Sequence, residues 1–257
     1  MLMHDWPVPD NVAIAMTDRH GGVSLAPYDS LNLGLHVGDI PQQVLVNRGI
    51  LAKQLGLATE PVWLEQVHGT HVIDLADIKS VDLAPEAQAQ QASISVSHPH
   101  IADASYTNLA GRVCVVMTAD CLPVLLCNQQ GTEVAAAHAG WRGLCDGVIE
   151  ASVAHFTSKP NELIAYLGPA IGPMAFEVGA EVRDAFMVKD PNAESCFIAR
   201  GDKYLADIIG LAKLRLTKLG VSQVYSADIC TVSNMDYFSY RRDKITGRMA
   251  SLIWLKS

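Results

Sequence analysis

Three side chains that can bind a transition metal stand where short apolar runs end. In TADCLPVLLCNQQGTEVAAAHAGWRG, Thr118 to Gly143, a β-branched run from Val113 to Met117 stops at Thr118-Ala119-Asp120-Cys121. A second apolar run, Glu133 to Ala137, stops at His138, and Gly140-Trp141-Arg142-Gly143 then opens a helix expected over 142–156. Pro61 to Gly69 repeats the grammar, with His68 after a short apolar run and before a glycine. Reactive side chains at the carboxyl ends of buried strands, beside a helix start, are where mixed α/β folds build sites. One thiolate and two imidazoles meet the ligand chemistry of a catalytic zinc centre with an open fourth position. Spacing alone is a weak signal, since neither CxxC nor HExxH is present. Taken singly, a cysteine after an apolar run is usually a buried hydrophobe, and a lone histidine usually bonds a backbone carbonyl.

Other polar residues have the types a pocket needs. Asp120 adjoins Cys121, where a carboxylate orients a metal-bound water, takes its proton, holds a ligand histidine or simply caps a turn. Arg142 sits at a helix start, where backbone N–H groups and a guanidinium together favour an anion. Arg19 with Gly21, Gly22 and Ser24 offers a second anion-binding turn, which a plain structural bend explains equally well. Asn32, His36 and Asp39 are polar groups in the mostly apolar NLGLHVGD and read as pocket lining. His71, three residues after His68, faces the other way in an extended chain. Phe238, Tyr240, Arg241, Arg242 and Arg248 combine aromatic faces with guanidinium groups, a mixture that stacks a flat base and holds an anion; the plainer reading pairs the arginines with Asp236 and Asp243.

The elements that must position these residues are partly legible. Asn11 to Met16 reads as a strand. Gln43 to Leu55 has helical spacing at Val44, Val46, Ile50, Leu51 and Leu55, with Gly56 as its stop. Asp202 to Leu219 reads as the clearest amphipathic helix, its basic residues on a solvated face. Lys79 to Ile101, rich in Ala, Gln and Ser, reads as an exposed insertion, and its His98 and His100 pair as solvated rather than as a second metal site. A formal net charge of −8 argues against nucleic acid as a partner. Six cysteines, two of them (Cys114 and Cys127) within apolar strand-like runs, do not make a disulfide scaffold. With no secretory leader and no apolar run of membrane-spanning length, the expectation is a soluble cytoplasmic protein without membrane partners.

QVHG, TADCLPVLL and AAAHAGWRG resemble the signature blocks of the YfiH-type laccase-domain family, which includes proteins called polyphenol oxidase and purine nucleoside phosphorylase. Blocks resembling the family's continue in order: DRHGGVS (Asp18 to Ser24), SLNLGLHVGD (Ser30 to Asp39), GPAIGPMAFEVG (Gly168 to Gly179) and DICTVSNMDYFSYRRDKITGR (Asp228 to Arg248). The fold expected is α+β, a layered sandwich of mixed sheets flanked by helices in one domain spanning 1–257, as a monomer or homodimer. The resemblance implies zinc on His68, Cys121 and His138, with copper as a substitute. It also implies phosphorolysis of adenosine, inosine and methylthioadenosine, and deamination of adenosine by a zinc-activated water with Asp120 as shuttle. Arg19, Arg142 and Arg248 are then candidates for phosphate, with Gly22, Ser24, Asn32, His36, Phe238 and Arg241 completing the substrate set. Copper-dependent phenol oxidation and a cysteine-dependent amidase using Cys121 are the alternatives. The chain departs from the family pattern at Asp18, Met174, Ala175 and Met249, none of them a proposed ligand.

Overall fold

The computed structural model describes residues 1–2, 4–79 and 100–257. Its central sheet has six strands in the order β13 (Gln223–Ser226), β9 (Leu163–Leu167), β7 (Leu122–Asn128), β8 (Val134–Ala139), β5 (Ala104–Thr107) and β3 (Val72–Asp74). β7 runs antiparallel to β8 and β9, whereas β13 is parallel to β9 and β3 to β5. A second sheet joins the two ends of the chain, β1 (Val12–Met16) and β14 (Met249–Leu255), to β6 (Val113–Thr118). Two smaller sheets complete the fold. One orders β10 (Glu177–Val178), β12 (Lys203–Ala206) and β11 (Phe197–Arg200), and the other pairs β2 (Leu64–Glu65) with β4 (His100–Ile101).

Strand alternation explains the layering. In β6, Cys114 and Val116 face the central sheet, packing with Leu125, Cys127, Val134 and Ala136. The alternate residues Val113 and Val115 turn outward to Leu51 and Ala52 of helix α1 (Pro41–Leu55). On the far face of the central sheet, Val124, Leu126, Ala135 and Ala137 meet α2 (Trp141–Asp146), α3 (Val148–Val153) and α5 (Ile208–Leu219). The order is helix, sheet, sheet, helix, a mixed α/β sandwich of the kind expected. α4 (Ala180–Lys189) joins this helical core through Val182 and Phe186, and α6 (Tyr240–Asp243) precedes β14. Ala135, Ala137 and Ala139, on the helix-facing side of β8, leave little bulk between strand and helix.

Several expected boundaries move for identifiable reasons. α1 starts at Pro41, a residue whose fixed φ suits a first helical position, and Gly56 closes it at φ 62°. The helix expected over 142–156 is two short helices, because Gly147 at φ 107° interrupts it. The helix expected over 202–219 begins at Ile208: the Asp207 carboxylate accepts the Gly210 N–H as an N-cap, and the preceding residues are taken by β12. Its basic side chains are not simply solvated, since Arg215 pairs with Glu150 at 3.1 Å and Lys218 with Asp190 at 3.3 Å. Of the expected insertion, only Lys79, His100 and Ile101 lie within the described residues; His98 lies outside them. No helix among the described residues is long and apolar enough to cross a membrane.

Glu133, just before β8, is a buried carboxylate that braces one end of the central sheet. It accepts hydrogen bonds from Tyr106 Oη (2.8 Å), Thr157 N (2.7 Å), Ser158 N (3.1 Å) and Asn128 Nδ2 (3.1 Å). Burial alone would raise its pKa, but hydrogen bonds from Ser158, Thr157 and Tyr106 hold it below the ordinary 4.5. Its stabilising contribution is therefore present above that value and is lost as pH falls through the lower, folded-state pKa. Glu133→Gln should cost about 2 kcal/mol in urea unfolding at neutral pH. The deficit should shrink toward pH 3, when the wild-type carboxylate also protonates.

Candidate metal centre

His68, Cys121 and His138 converge, their ligand atoms all within 4.8 Å of one another. Cys121 Sγ lies 3.7 Å from His68 Nε2, and the two imidazole rings meet edge-on with centroids 4.8 Å apart. A tetrahedral zinc with ligands at ~2.3 Å (S) and ~2.0 Å (N) spaces sulfur and nitrogen by about 3.6 Å, so the Cys121–His68 pair is spaced for that ion. The sheets set this meeting. His138 is the penultimate residue of β8 and pairs in register with Pro123, two residues past Cys121 on β7. His68 arrives from the loop after β2, with φ 61°.

Asp103, immediately before β5 and wholly buried, holds this arrangement together. Its Oδ1 bonds His138 Nδ1 at 2.8 Å, which leaves Nε2 of that ring as the ligand atom. The same carboxylate accepts three successive backbone N–H groups, from Val67 (3.2 Å), His68 (2.9 Å) and Gly69 (2.6 Å). The left-handed conformation of His68 is what turns neighbouring N–H groups onto one anion, as in a nest. Burial alone would raise the Asp103 pKa; the hydrogen bonds from His138, Gly69 and Val67 bring it down. Burial would likewise raise the Cys121 thiol, but the charge on His138 and hydrogen bonds from both imidazoles lower it, favouring the thiolate that binds metals. Asp103 was not among the residues expected from sequence. A carboxylate inside the apolar stretch IADASY was the available signal.

Gly140 and Gly143 explain why a glycine-rich turn follows His138. A Cβ on Gly140 would lie 2.6 Å from His68 Cδ2 and 3.1 Å from Cys121 Sγ, and one on Gly143 would lie 2.7 Å from the Gly69 carbonyl oxygen. Close approach of the ligand loop requires both.

Cys121 also lines a cleft of about 190 Å³ walled by Ala119, Asp120, Trp141, Ile171, Phe176, Ile208, Tyr240 and Arg241. Asp120, at φ 92°, uses both carboxylate oxygens: Oδ1 accepts from Thr231 Oγ1 and Oδ2 from the Arg241 backbone N–H, each at 2.6 Å. That makes it a positioning residue fixing the start of α6 against the cleft. The histidine tie considered for it belongs to Asp103. Arg241 reaches the carbonyls of Ala175 and Glu177 through Nη1 and lies over the Phe176 ring.

Comparisons with known proteins agree with this architecture. A family model described as multi-copper polyphenol oxidoreductase laccase matches residues 13–256. Purine nucleoside phosphorylase YfiH of Shigella flexneri is 56% identical over 99% of this chain and 98% of that protein. The chain belongs to the YfiH laccase-domain family. The Escherichia coli K12 protein of the same name is 55% identical over the same shares. The crystal structure of Neisseria meningitidis protein NMB0706 covers all of this chain and 99% of its own, with a TM-score of 0.89 at 47% identity. YlmD from Geobacillus stearothermophilus superposes with a TM-score of 0.81 at 31% identity, covering 96% of this chain and 93% of that one.

Within this YfiH-family chain the remaining expected residues scatter. Phe238 is fully buried beneath the Arg19 guanidinium (4.7 Å) and beside Gly247, so its ring is closed to a ligand; Tyr240 is the exposed aromatic of that block. Arg19 is committed to Asp29, through the carbonyl at 2.8 Å and the carboxylate at 3.4 Å. Gly22 and Ser24 shape the same turn: a Cβ on Gly22 would strike the Ser30 carbonyl, and Ser24 Oγ donates to Asp39 at 2.6 Å. Asn32 is wholly buried, donating to Asp39 and accepting the Arg248 N–H at 2.9 Å. Arg142 is exposed over the Trp141 ring. His71 contributes its carbonyl, not its ring, to the turn at Asp103. Of the family departures, Met249 is buried, its sulfur accepting the Phe238 N–H. Met174 is exposed, Ala175 supplies a carbonyl to Arg241, and Asp18 accepts the His20 N–H.

The relay of several copper ions that the family description names does not fit the donors present. Among the described residues, His68, Cys121 and His138 form the one group able to hold a metal, and type 1 plus trinuclear copper needs many more histidines. The glycine geometry gives a direct test. Gly140→Ala should fold, yet lower zinc affinity by roughly tenfold or more by displacing His68, as a 10–100-fold loss follows from disturbed support of a metal site. Competition titration with a chromophoric chelator measures it, and wild-type affinity in the variant would show that the close approach is irrelevant.

Proposed function

We propose that this chain is a zinc-dependent purine nucleoside phosphorylase that cleaves adenosine, inosine and methylthioadenosine, and that it also deaminates adenosine. The observation that carries this reading is the double role of Cys121, a member of the ligand group and a wall of the aromatic cleft. Full-length relatives named purine nucleoside phosphorylase support it. In the cleft, Trp141, Phe176 and Tyr240 supply the faces on which a purine stacks. Asp120 holds the backbone of Arg241, and through it α6, in place against that pocket. Six free cysteines fit a chain working in the reducing cytoplasm.

Zinc held by His68, Cys121 and His138 supplies a Lewis acid beside the bound nucleoside. In phosphorolysis a phosphate oxygen bonds ribose C1′ as the C1′–N9 bond breaks. The electron pair goes to the purine, which takes up a proton, and the products are free base and ribose 1-phosphate. In deamination, water adds at C6 of adenosine and ammonia leaves, giving inosine. Asp103 serves both reactions by fixing the His138 ring rather than by touching substrate.

The Asp103–His138–Cys121 order also suits a cysteine nucleophile, the amidase reading. His68 supports the metal reading over it: a nucleophile needs one base, whereas a metal uses both imidazoles.

Inosine with phosphate should give hypoxanthine and ribose 1-phosphate in equal amounts with the zinc-loaded protein, consuming no oxygen. Adenosine without phosphate should release ammonia. Rapid phenol oxidation by copper-loaded protein, with nucleosides left intact by the zinc form, would contradict the proposal. Product chromatography and an oxygen electrode separate the two.

A further inference from the structure

Among the described residues β6 is the edge of its sheet, with β14 on one side only. An edge strand leaves backbone N–H and C=O groups that something other than a strand must satisfy. The need is sharpest at Met117, which is buried and pairs in register with Ala250 of β14. Ala250 gives its N–H to Thr17 Oγ1 (3.0 Å) and accepts the Thr17 N–H (2.9 Å), both on the β1 side of β14. The N–H and carbonyl of Met117 therefore face the open edge, as at the non-hydrogen-bonded pairs of an antiparallel ladder.

The Gln66 side chain takes up both groups. Its Oε1 accepts the Met117 N–H at 2.7 Å, and its Nε2 donates to the Met117 carbonyl at 2.8 Å. A primary amide carries an acceptor and a donor side by side, as a peptide unit does, so one glutamine closes the edge in place of a strand residue. The backbone fixes which way the amide lies, because the N–H requires an oxygen and the carbonyl an NH2.

The two bonds attach at points that matter for the ligands. Gln66 is two residues before His68, and Met117 is four before Cys121. Asp103 ties the His68 loop to His138, and the register of β7 against β8 relates Cys121 to His138. Neither tie joins the His68 segment to the strand that runs into Cys121. The Gln66 clamp does. On its other side the same segment is held by β4 and by the Ala102 N–H, which donates to the Glu65 carbonyl at 3.2 Å. The segment bearing His68 thus lies between two supports, and without one of them it can swing on the other.

We propose that Gln66 is a positioning residue of the metal centre, whose clamp on the Met117 backbone sets the separation of His68 from Cys121. It touches neither the ion nor a substrate. The inference rests on the reading of His68, Cys121 and His138 as a metal centre, and is independent of the reaction that centre serves. Gln66 was not among the residues expected from sequence, since a glutamine after a short apolar run gives no sign of the backbone it will meet.

The test loads full-length wild type, Gln66→Met, Gln66→Glu and Glu133→Gln with zinc and with cobalt(II), each under chelator competition. Methionine keeps the side-chain length and supplies neither bond. Glutamate keeps the shape and turns an oxygen, in place of the NH2, toward the Met117 carbonyl. Four-coordinate cobalt on a thiolate absorbs visible light, and its bands follow the ligand geometry. Both Gln66 variants should bind either ion roughly tenfold more weakly, the scale of loss when the support of a metal ligand is disturbed. Their cobalt bands should also shift in position and intensity. Glu133→Gln acts at the other end of β8 and should lower stability in urea while keeping wild-type affinity and bands, which separates positioning from a general loss of stability. If one Gln66 variant fails to fold, the other decides; if neither folds, Gln66→Asn, with the amide one methylene short of its reach, decides in their place. Wild-type affinity and bands in the folded Gln66 variants overturn the positioning role, as does an equal band shift in Glu133→Gln. Absence of metal binding by wild type overturns the metal reading and this inference together. If the Gln66 variants lose affinity as expected and wild type leaves inosine uncleaved under phosphate, the positioning role stands and the phosphorolysis reading falls.

Discussion

One buried carboxylate carries the ligand geometry of this protein. Asp103 binds a side chain on β8 and three backbone N–H groups of the His68 loop at once, so two of three ligand-bearing segments share one anchor. A charge taken out of water needs several hydrogen bonds to be stable, and here those bonds are what define the site. The third segment comes in differently. Cys121 sits in the loop that carries the chain from the outer sheet at β6 to the central sheet at β7, and its place is fixed by the register of β7 against β8. Sheet geometry thus brings sulfur to the point where the carboxylate has already placed both imidazoles.

The same junction divides the surroundings by chemistry. On one side Ile208 of α5, Phe176 just before β10 and Tyr240 of α6 supply apolar and aromatic walls. On the other, α1 delivers Arg48, and the turn before β14 delivers Arg248, onto Leu33 and Gly34. The candidate ligand group lies beside the first of these, with Cys121 in the wall of the cleft. Asp120 links the halves: its strained backbone is paid for by hydrogen bonds that hold α6 and Thr231.

The readable part of this site was the part written in local pattern. Apolar runs ending near His68, Cys121 and His138 announced side chains that converge, and the structure brings the three within 4.8 Å of one another. Asp103 escaped because its importance lies in partners 34 to 36 residues away on either side in sequence. Phe238 was misjudged for the converse reason, since an aromatic beside arginines gives no local sign of being covered by them. The helix over 202–219 lost its first turn to a strand because Asp207 caps more strongly than the apolar spacing before it propagates.

The central claim is that Asp103, not Asp120, supports the candidate metal site. Zinc affinity measured by chelator competition for Asp103→Asn and Asp120→Asn tests it directly. The account predicts a loss of about 10–100-fold for Asp103→Asn, since the carboxylate that orients His138 and the His68 loop is gone, and near wild-type affinity for Asp120→Asn. The reverse order, or full zinc affinity in Asp103→Asn, would contradict it.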